Sequence, residues 1–177
     1  MADPVREILS SSLKHREKVA ALAAKAGSDA ETLAGVVELL KTGSDIEKGT
    51  AAEVCKFVSH DNPDALAPYI DLLIAYIDYR APRVRWGCPE ALGNLARRYP
   101  EQVEKAVPKL LGNLEDGSTV VRWCAAYALA EIAKHSAAKQ PELAALFGNL
   151  IASEPNNGVR GVYSKALKEI RKHPVDR

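Results

Sequence analysis

The sequence predicts an all-α protein built from stacked pairs of helices, and two observations support this fold class. The first is a unit that recurs every 37 or 38 residues, a period typical of solenoids in which each helical pair packs on its neighbours. The aligned triplets are Ile46-Glu47-Lys48, Val84-Arg85-Trp86, Val121-Arg122-Trp123 and Val159-Arg160-Gly161. The second is that no stretch alternates apolar and polar residues with period two, which predicts no β-strand.

The apolar periodicity divides the chain into a capping helix and four helical pairs. The capping helix is expected at about residues 4–26, and the pairs at about 29–59, 63–98, 100–135 and 141–172. Their second helices are expected at about 44–59, 82–98, 119–135 and 158–172. Together these elements predict a single domain over residues 1–177.

Prolines mark the first helices of the last three pairs. Pro63, Pro100 and Pro141 are each followed by an acidic residue. Proline suits the first helical position, where a missing N–H costs no hydrogen bond, and an acidic neighbour complements the helix dipole. Pro68 and Pro108 lie deeper in the predicted helices, where each should bend its helix by removing a backbone hydrogen bond.

The units resemble the HEAT-repeat, armadillo-like family over about residues 29–172. The resemblance is carried by the Val-Arg starts, by an Ala-Leu pair in each later unit and by an aliphatic residue one turn on. These residues are Ala91-Leu92, Ala128-Leu129, Ala166-Leu167, Leu95, Ile132 and Ile170. The resemblance implies a right-handed α–α superhelix of about four HEAT-like helical pairs with an N-terminal capping helix. Glu47 stands in place of the arginine in the first unit, so the Asp–Arg ladder that the family implies should be incomplete.

Helical geometry predicts which side of each second helix faces solvent. With about 100° per residue and Val121 at zero, Ala125, Ala128, Leu129 and Ile132 fall on one buried stripe. The opposite side predicts four exposed rows, which should form one groove on the inner side of the solenoid. The rows are Lys48, Ala52, Cys55 and Ser59; Trp86, Glu90, Gly93 and Arg97; Trp123, Tyr127, Ala130 and Lys134; and Gly161, Lys165, Lys168 and Lys172.

These rows suggest a non-enzymatic module that binds a peptide or protein along its concave second-helix face. Tryptophan and tyrosine are favoured interface anchors, and basic side chains would steer acidic groups of the partner. The candidate partner-binding residues are Trp86, Glu90, Arg97, Trp123, Tyr127, Lys134, Lys165, Lys168 and Lys172. The alternative is that each indole packs against the neighbouring unit and binds nothing. Likewise, the basic segment 158–177, with a net charge of +4, is either an anion-binding surface or a solvated end cap.

Composition and motifs argue against several other functions. The chain has 24 basic and 23 acidic residues, which gives no field expected of a dedicated nucleic-acid binder. Its four histidines and three cysteines show no metal-ligand spacing, and no nucleophile or phosphate-loop motif is present, so no catalytic residue, metal or cofactor is predicted. Unpaired cysteines, the lack of a signal-peptide pattern and the lack of a long apolar run predict a cytoplasmic protein without membrane association.

Two further hypotheses stay open at this stage. HEAT-like DNA glycosylases combine tryptophan, an acidic residue and basic residues on the concave face, and Trp86, Glu90 and Arg97 resemble that grouping. The alternative function is therefore a HEAT-like nucleic-acid-binding protein or glycosylase that uses the same groove. A third possibility is a module that assists assembly of a complex or a cofactor-attaching enzyme, as some HEAT-repeat lyase subunits do.

Overall fold

The computed structural model describes residues 3–175, and within that range the chain forms twelve α-helices and no β-strand. The predicted all-helical solenoid class is therefore confirmed. In chain order the helices are α1 Pro4–Ser10, α2 His15–Ala26, α3 Ala30–Thr42, α4 Asp45–Asp61, α5 Pro63–Leu66, α6 Ile70–Ala75, α7 Pro82–Leu95, α8 Pro100–Val103, α9 Val107–Asn113, α10 Thr119–His135, α11 Gln140–Ser153 and α12 Asn157–Lys172.

Two of the predicted first helices are interrupted where the sequence places internal prolines. A 3₁₀ turn at Ala67–Tyr69 separates α5 from α6, and Pro68 lies within it. A second 3₁₀ turn at Glu104–Ala106 separates α8 from α9, just before Pro108. Proline lacks the N–H that would continue the α-helical ladder, so each helix tightens and bends at this point, as expected.

The predicted capping helix at 4–26 is wrong in one respect, because it is two helices. The Ser11 hydroxyl donates to the carbonyl of Ile8 at 2.7 Å and ends α1. The backbone N–H of Lys14 then donates to the Glu17 carboxylate at 2.7 Å, which starts α2. Residues 11–14 are therefore a junction that the apolar pattern alone did not mark.

The second helix of the 63–98 unit also ends earlier than predicted, at Leu95 instead of residue 98. Pro100 opens α8 and disfavours helical backbone at the residue before it. Tyr99 accordingly has φ −129° and ψ 51°, outside the helical region. Arg97 therefore lies in a turn and not on the helix.

The second helices α4, α7, α10 and α12 pack on one another in sequence order, and the first helices form the other layer of the stack. The predicted buried stripe of α10 is confirmed, because Ala125, Ala128, Leu129 and Ile132 are fully buried. Small residues allow close approach between the second helices. A Cβ on Gly87 would lie 2.6 Å from the carbonyl oxygen of Ala52 on α4.

The first triplet of the predicted repeat alignment, Ile46-Glu47-Lys48, is out of register by one residue. The N-cap residues Ser44, Ala81 and Ser118 are 37 residues apart, and Asn156 follows after 38. Lys48 therefore occupies the position of Arg85, not Glu47 as the triplets suggested. Ile46, which had been aligned with the buried Val84, is 79 % exposed.

This shift makes the predicted exposed row of the first unit wrong. Lys48, Ala52, Cys55 and Ser59 are all buried, and the most exposed, Lys48, shows 8 % of its surface. The true equivalents of the later rows are Gly49, Glu53, Lys56 and His60, one position further along. In the other units Gly93 and Ala130 are also buried, because the face narrows where neighbouring second helices meet.

In three of the four units, the basic side chain at the corrected repeat position donates to a backbone carbonyl shortly before its helix. Arg122 Nη1 donates to the carbonyl of Asp116 at 2.9 Å, and Arg160 Nη1 donates to that of Glu154 at 2.6 Å. Lys48 Nζ donates equivalently to the carbonyl of Leu40 at 2.8 Å. The first unit thus keeps a basic residue at this position.

The basic residue at this position forms an ion pair with the following unit in two places within residues 3–175. Arg85 pairs with Asp116 of the next unit, and Arg122 pairs with Glu154 of the one after. In the first unit Lys48 Nζ lies 3.5 Å from the Tyr76 hydroxyl and over the ring of Tyr79, the residue 37 positions before Asp116. The ladder is incomplete, but because Tyr79 stands where the next unit has an acid and not because of Glu47.

Candidate functional site

The exposed sides of α4, α7, α10 and α12, named here the second-helix face, border several clefts, and two of these, cleft I and cleft II, contain most of the candidate binding residues. Cleft I, with a volume of about 300 Å³, lies where α2, α4 and α7 meet, and cleft II, of about 340 Å³, lies between α10 and α12. Cleft I is lined by His15, Arg16, Glu53, Lys56, Arg83, Trp86, Gly87, Glu90 and Val120. Cleft II is lined by Trp123, Tyr127, Ala130, Glu131, Lys134, Gly158, Gly161, Val162, Lys165, Ala166 and Glu169.

Trp86 is the largest apolar side chain in cleft I. It is partly buried, and its indole Nε1 has neither solvent contact nor a hydrogen-bond partner in the described part of the chain. Beside it, Val120 in the first turn of α10 is 47 % exposed. Trp86 and Val120 thus form an apolar wall of this cleft that is partly exposed to solvent.

The polar side of cleft I centres on His15. His15 Nε2 lies 2.8 Å from the Glu53 carboxylate and 2.9 Å from Arg83 Nη1. One imidazole nitrogen cannot both donate to Glu53 and accept from Arg83, so only one of these contacts is a hydrogen bond at a time. Gly49 leaves room for the stem of the exposed Arg83, because a Cβ on Gly49 would lie 2.9 Å from the Arg83 Cβ.

Glu90 lies deeper in cleft I and is also engaged. Its carboxylate is 4.0 Å from Lys56 Nζ and accepts from the Cys124 thiol at 3.4 Å. Burial, followed by the nearby Glu90 charge, raises the pKa of Cys124 well above its usual range. Burial also raises the pKa of Cys55 to about 12, so these thiols stay protonated near neutral pH.

Cleft II is built on a stacked aromatic pair. The rings of Trp123 and Tyr127 are 5.6 Å apart and parallel to within 1°. Gly93 of α7 makes room for Tyr127, because a Cβ there would lie 2.7 Å from the tyrosine ring. The Tyr127 hydroxyl donates to Asn94 Oδ1 at 2.6 Å, and burial raises the pKa of Tyr127 to about 12, so the phenol remains a neutral donor.

The charges of cleft II are largely paired with one another. Lys134 Nζ contacts Glu131 and lies 3.0 Å from Glu169 on α12. Burial alone would lower the pKa of Lys134, but the hydrogen bonds to these two carboxylates outweigh it and raise the pKa. Lys165, on the rim of the cleft, has no ion-pair partner within residues 3–175.

The structure places the candidate partner-binding residues in three groups. Cleft I contains Trp86 and Glu90, and cleft II contains Trp123, Tyr127, Lys134 and Lys165. Arg97, Lys168 and Lys172 are exposed outside both linings. The last two residues of the basic segment 158–177, Asp176 and Arg177, lie outside the described residues.

Several lining residues were not predicted from the sequence. Glu53 and Lys56 would have followed from aligning the N-cap residues Ser44 and Ser118, which are two 37-residue steps apart. His15 and Arg16 come from α2, which precedes the repeats and carries no copy of their pattern. The sequence held no signal that brings α2 to this face.

Residues 3–175 contain no group of three or more His, Cys, Asp or Glu side chains arranged to hold a metal ion. None of the helices within that range combines the length and the apolar character that crossing a membrane requires.

Comparison with known proteins gives a family match to part of the chain and similar solved structures. The HEAT-like repeat family matches residues 82–132, from the start of α7 into α10. A crystal structure of an engineered protein has a TM-score of 0.71 at 19 % identity, covering 97 % of this chain and 79 % of that one. Comparison with curated protein sequences gives no match.

Two designed armadillo repeat proteins are also similar. One, solved in complex with the peptide (KR)4, has a TM-score of 0.71 at 22 % identity and covers 94 % of this chain and 80 % of its own. The other, computationally designed for modular peptide recognition, has a TM-score of 0.68 at 23 % identity, with 94 % and 81 % covered. These likenesses establish the fold as a HEAT/armadillo-like solenoid.

Proposed function

We propose that this HEAT/armadillo-like repeat protein is a non-enzymatic interaction module that binds an extended peptide segment of a partner protein along its second-helix face. The observation that carries the proposal is the pairing of Trp86 and Trp123. They occupy the same repeat position on adjacent helices, and each forms one wall of a separate cleft. The similarity to designed proteins described as peptide-binding supports the same class of ligand.

The clefts suit side-chain anchoring better than they suit a large folded ligand. Each has room for one or two side chains, and α7 packs directly on α10, so the clefts succeed one another along the face. Partly buried tryptophan and tyrosine offer large contact areas at low entropic cost, as binding hot spots do. A segment that crosses both clefts would therefore gain most of its affinity from Trp86, Trp123 and Tyr127.

The charges of both clefts favour recognition over catalysis. Glu90 contacts Lys56 and a thiol, while Glu131 is bound by Lys134 and lies near His135. Glu131 is consequently held ionised, because these contacts lower its pKa despite burial. A general acid or base needs a pKa near the working pH, and the contacts of Glu131 move its pKa away from that range.

The chain's own fluorescence provides a direct test, because Trp86 and Trp123 are its only two tryptophans. A random dodecapeptide display library would be selected on the wild-type chain, and the enriched peptides titrated while indole emission is recorded. Trp86→Phe and Trp123→Phe leave one reporter each, so each cleft is observed separately. We expect both single-tryptophan variants to change emission with the same peptide concentration dependence.

The second step measures how much affinity the indoles supply. We expect the double variant, which carries both Trp86→Ala and Trp123→Ala, to bind the peptide at least tenfold more weakly. Truncation of a hot-spot side chain typically costs more than about 1–2 kcal/mol of binding free energy. Tyr69→Ala, an aromatic truncation on the first-helix layer, is the matched control and should leave affinity unchanged. Peptides that bind the double variant and wild type equally, with the fold intact by circular dichroism, would reject the proposal.

A further inference from the structure

We infer that the bound segment is acidic and that cleft I receives one of its Asp or Glu side chains between Arg16 and Arg83. This inference rests on the proposed peptide-binding function and adds the chemistry of the ligand. It follows from how the charges of the second-helix face are already used, from the geometry around Arg83 and from the composition of cleft I.

The charges of the second-helix face are unequally engaged. All four carboxylates that line clefts I and II contact a basic side chain of the chain itself: Glu53 with His15, Glu90 with Lys56, and Glu131 and Glu169 with Lys134. By contrast, Arg16 of cleft I, Lys165 of cleft II and the exposed Lys168 have no ion pair or side-chain hydrogen bond among the described residues. The charge left available to a partner is therefore positive.

Arg83 is the cation best prepared for a ligand. It is exposed, its stem passes close to Gly49, and among residues 3–175 its guanidinium has a hydrogen-bond contact only with the nitrogen of His15 that also faces Glu53. When that nitrogen carries a proton it donates to Glu53, and Arg83 is left without an acceptor. A ligand carboxylate would give Arg83 a charge-assisted bond and leave His15 free to donate to Glu53.

The surroundings of Arg83 indicate an acidic peptide and not a nucleic-acid backbone. Glu53 and Glu90 line the same cleft as Arg16 and Arg83. A polynucleotide carries a phosphate at every step and would set some of them against these carboxylates. A peptide can place one carboxylate at the arginines and an apolar side chain against Trp86.

The test combines ligand selection with charge reversal. Dodecapeptides selected on the wild-type chain should be enriched in Asp and Glu beside an aromatic or aliphatic residue. Arg83→Glu and Arg16→Glu should each weaken the binding of these peptides at least tenfold, because a stabilising charge-assisted contact becomes a repulsive one. Lys105→Glu makes the same charge change on an exposed residue of the first-helix layer and should alter affinity less than twofold. Arg83→Gln, which keeps the stem on Gly49, controls for folding and should also weaken binding.

The outcomes separate this inference from the function on which it rests. Peptides that depend on Trp86 and Trp123 but are neutral or basic, or that tolerate Arg83→Glu, overturn the acidic ligand and leave peptide binding intact. A failure to select any tryptophan-dependent peptide overturns both. A single-stranded 20-mer oligonucleotide that binds at 50 mM salt and loses binding with Arg83→Glu would overturn the inference in favour of a nucleic-acid ligand.

Discussion

At the scale of single residues, Arg122 connects three parts of the repeat. Its guanidinium donates to the carbonyls of Asp116 and Gly117, which close the turn before α10, and forms two bonds of 3.1 Å to the Glu154 carboxylate. Only 8 % of the Glu154 side chain is exposed. Because both partners are largely removed from water, this pair contributes more than a surface ion pair would.

The Arg122–Glu154 pair predicts an acid-dependent stability. Burial alone would raise the pKa of Glu154, but the bonds from Arg122 and from the N–H of Asn156 outweigh it and lower the pKa below its ordinary value of 4.5. A carboxyl with a lowered pKa in the folded state stabilises the fold above its unfolded pKa and loses that contribution as the pH falls through its folded value. We expect Glu154→Gln to cost about 1–3 kcal/mol at pH 7.

The cost of Glu154→Gln should shrink as the pH is lowered below about 4.5, where the wild-type carboxyl itself takes up a proton. Urea unfolding followed by circular dichroism at several pH values measures this difference. Glu101→Gln is the control, since Glu101 is exposed on α8. A cost for Glu154→Gln that is the same at pH 7 and pH 3 would contradict the assigned role of the pair.

At the scale of elements, the spacing between second helices is set by glycines, whose missing side chain leaves room for the adjacent helix. Gly87 meets the backbone of Ala52, whereas Gly93 meets the ring of Tyr127 and the Cα of Ala128. Neighbouring second helices therefore approach closely at Gly87 and at Gly93.

Gly87→Ala should therefore be destabilising. The added methyl group would lie 2.5 Å from the carbonyl carbon of Ala52, and a backbone cannot move aside as a flexible side chain can. We expect a loss of about 1–3 kcal/mol, the usual range for overpacking in a core, measured by chemical denaturation.

Gly112→Ala provides the matched control for that substitution. Gly112 also lies in a helix, α9, but nothing comes within 4 Å of an added Cβ. Alanine should stabilise the helix there by about 0.5–1 kcal/mol through its lower backbone entropy in the unfolded chain. If both glycine substitutions shifted stability in the same direction, close helix approach would not be what Gly87 provides.

The repeat pattern in the sequence predicts some elements of the structure and misses others. Periodicity located the repeats, the second-helix layer and the Trp–Tyr side of α10, because those features depend on local pattern. It failed for the first unit, where Glu47 replaces the valine of the other units and only the N-cap Ser44 marks the register. It could not foresee His15 and Arg16 in cleft I, because a contact between α2 and α7 depends on tertiary packing and leaves no trace in the repeat.

At the scale of the whole molecule, each helical pair is stabilised chiefly by its neighbours. The second helices form a chain of contacts from α4 through α7 and α10 to α12, and buried residues line the stack along its length. Stability in such a solenoid is close to a sum of unit and interface contributions. The second helices α7 and α10 have second-helix neighbours on both sides, whereas α12, which forms one side of cleft II, has one, so local opening should be rarest at α7 and α10.

This arrangement predicts that the effect of a core truncation depends on its place in the stack. Leu129 is fully buried in α10, which contacts α7 and α12, while Ile170 in α12 has helices on one side only and is 9 % exposed. We expect Leu129→Ala to cost about 2–5 kcal/mol and to lower hydrogen-exchange protection throughout α7, α10 and α12. Ile170→Ala should lower hydrogen-exchange protection mainly in α12. Equal loss of protection along the whole chain in both variants would show that the stack unfolds as one unit, and that α7 and α10 gain no rigidity from their central place.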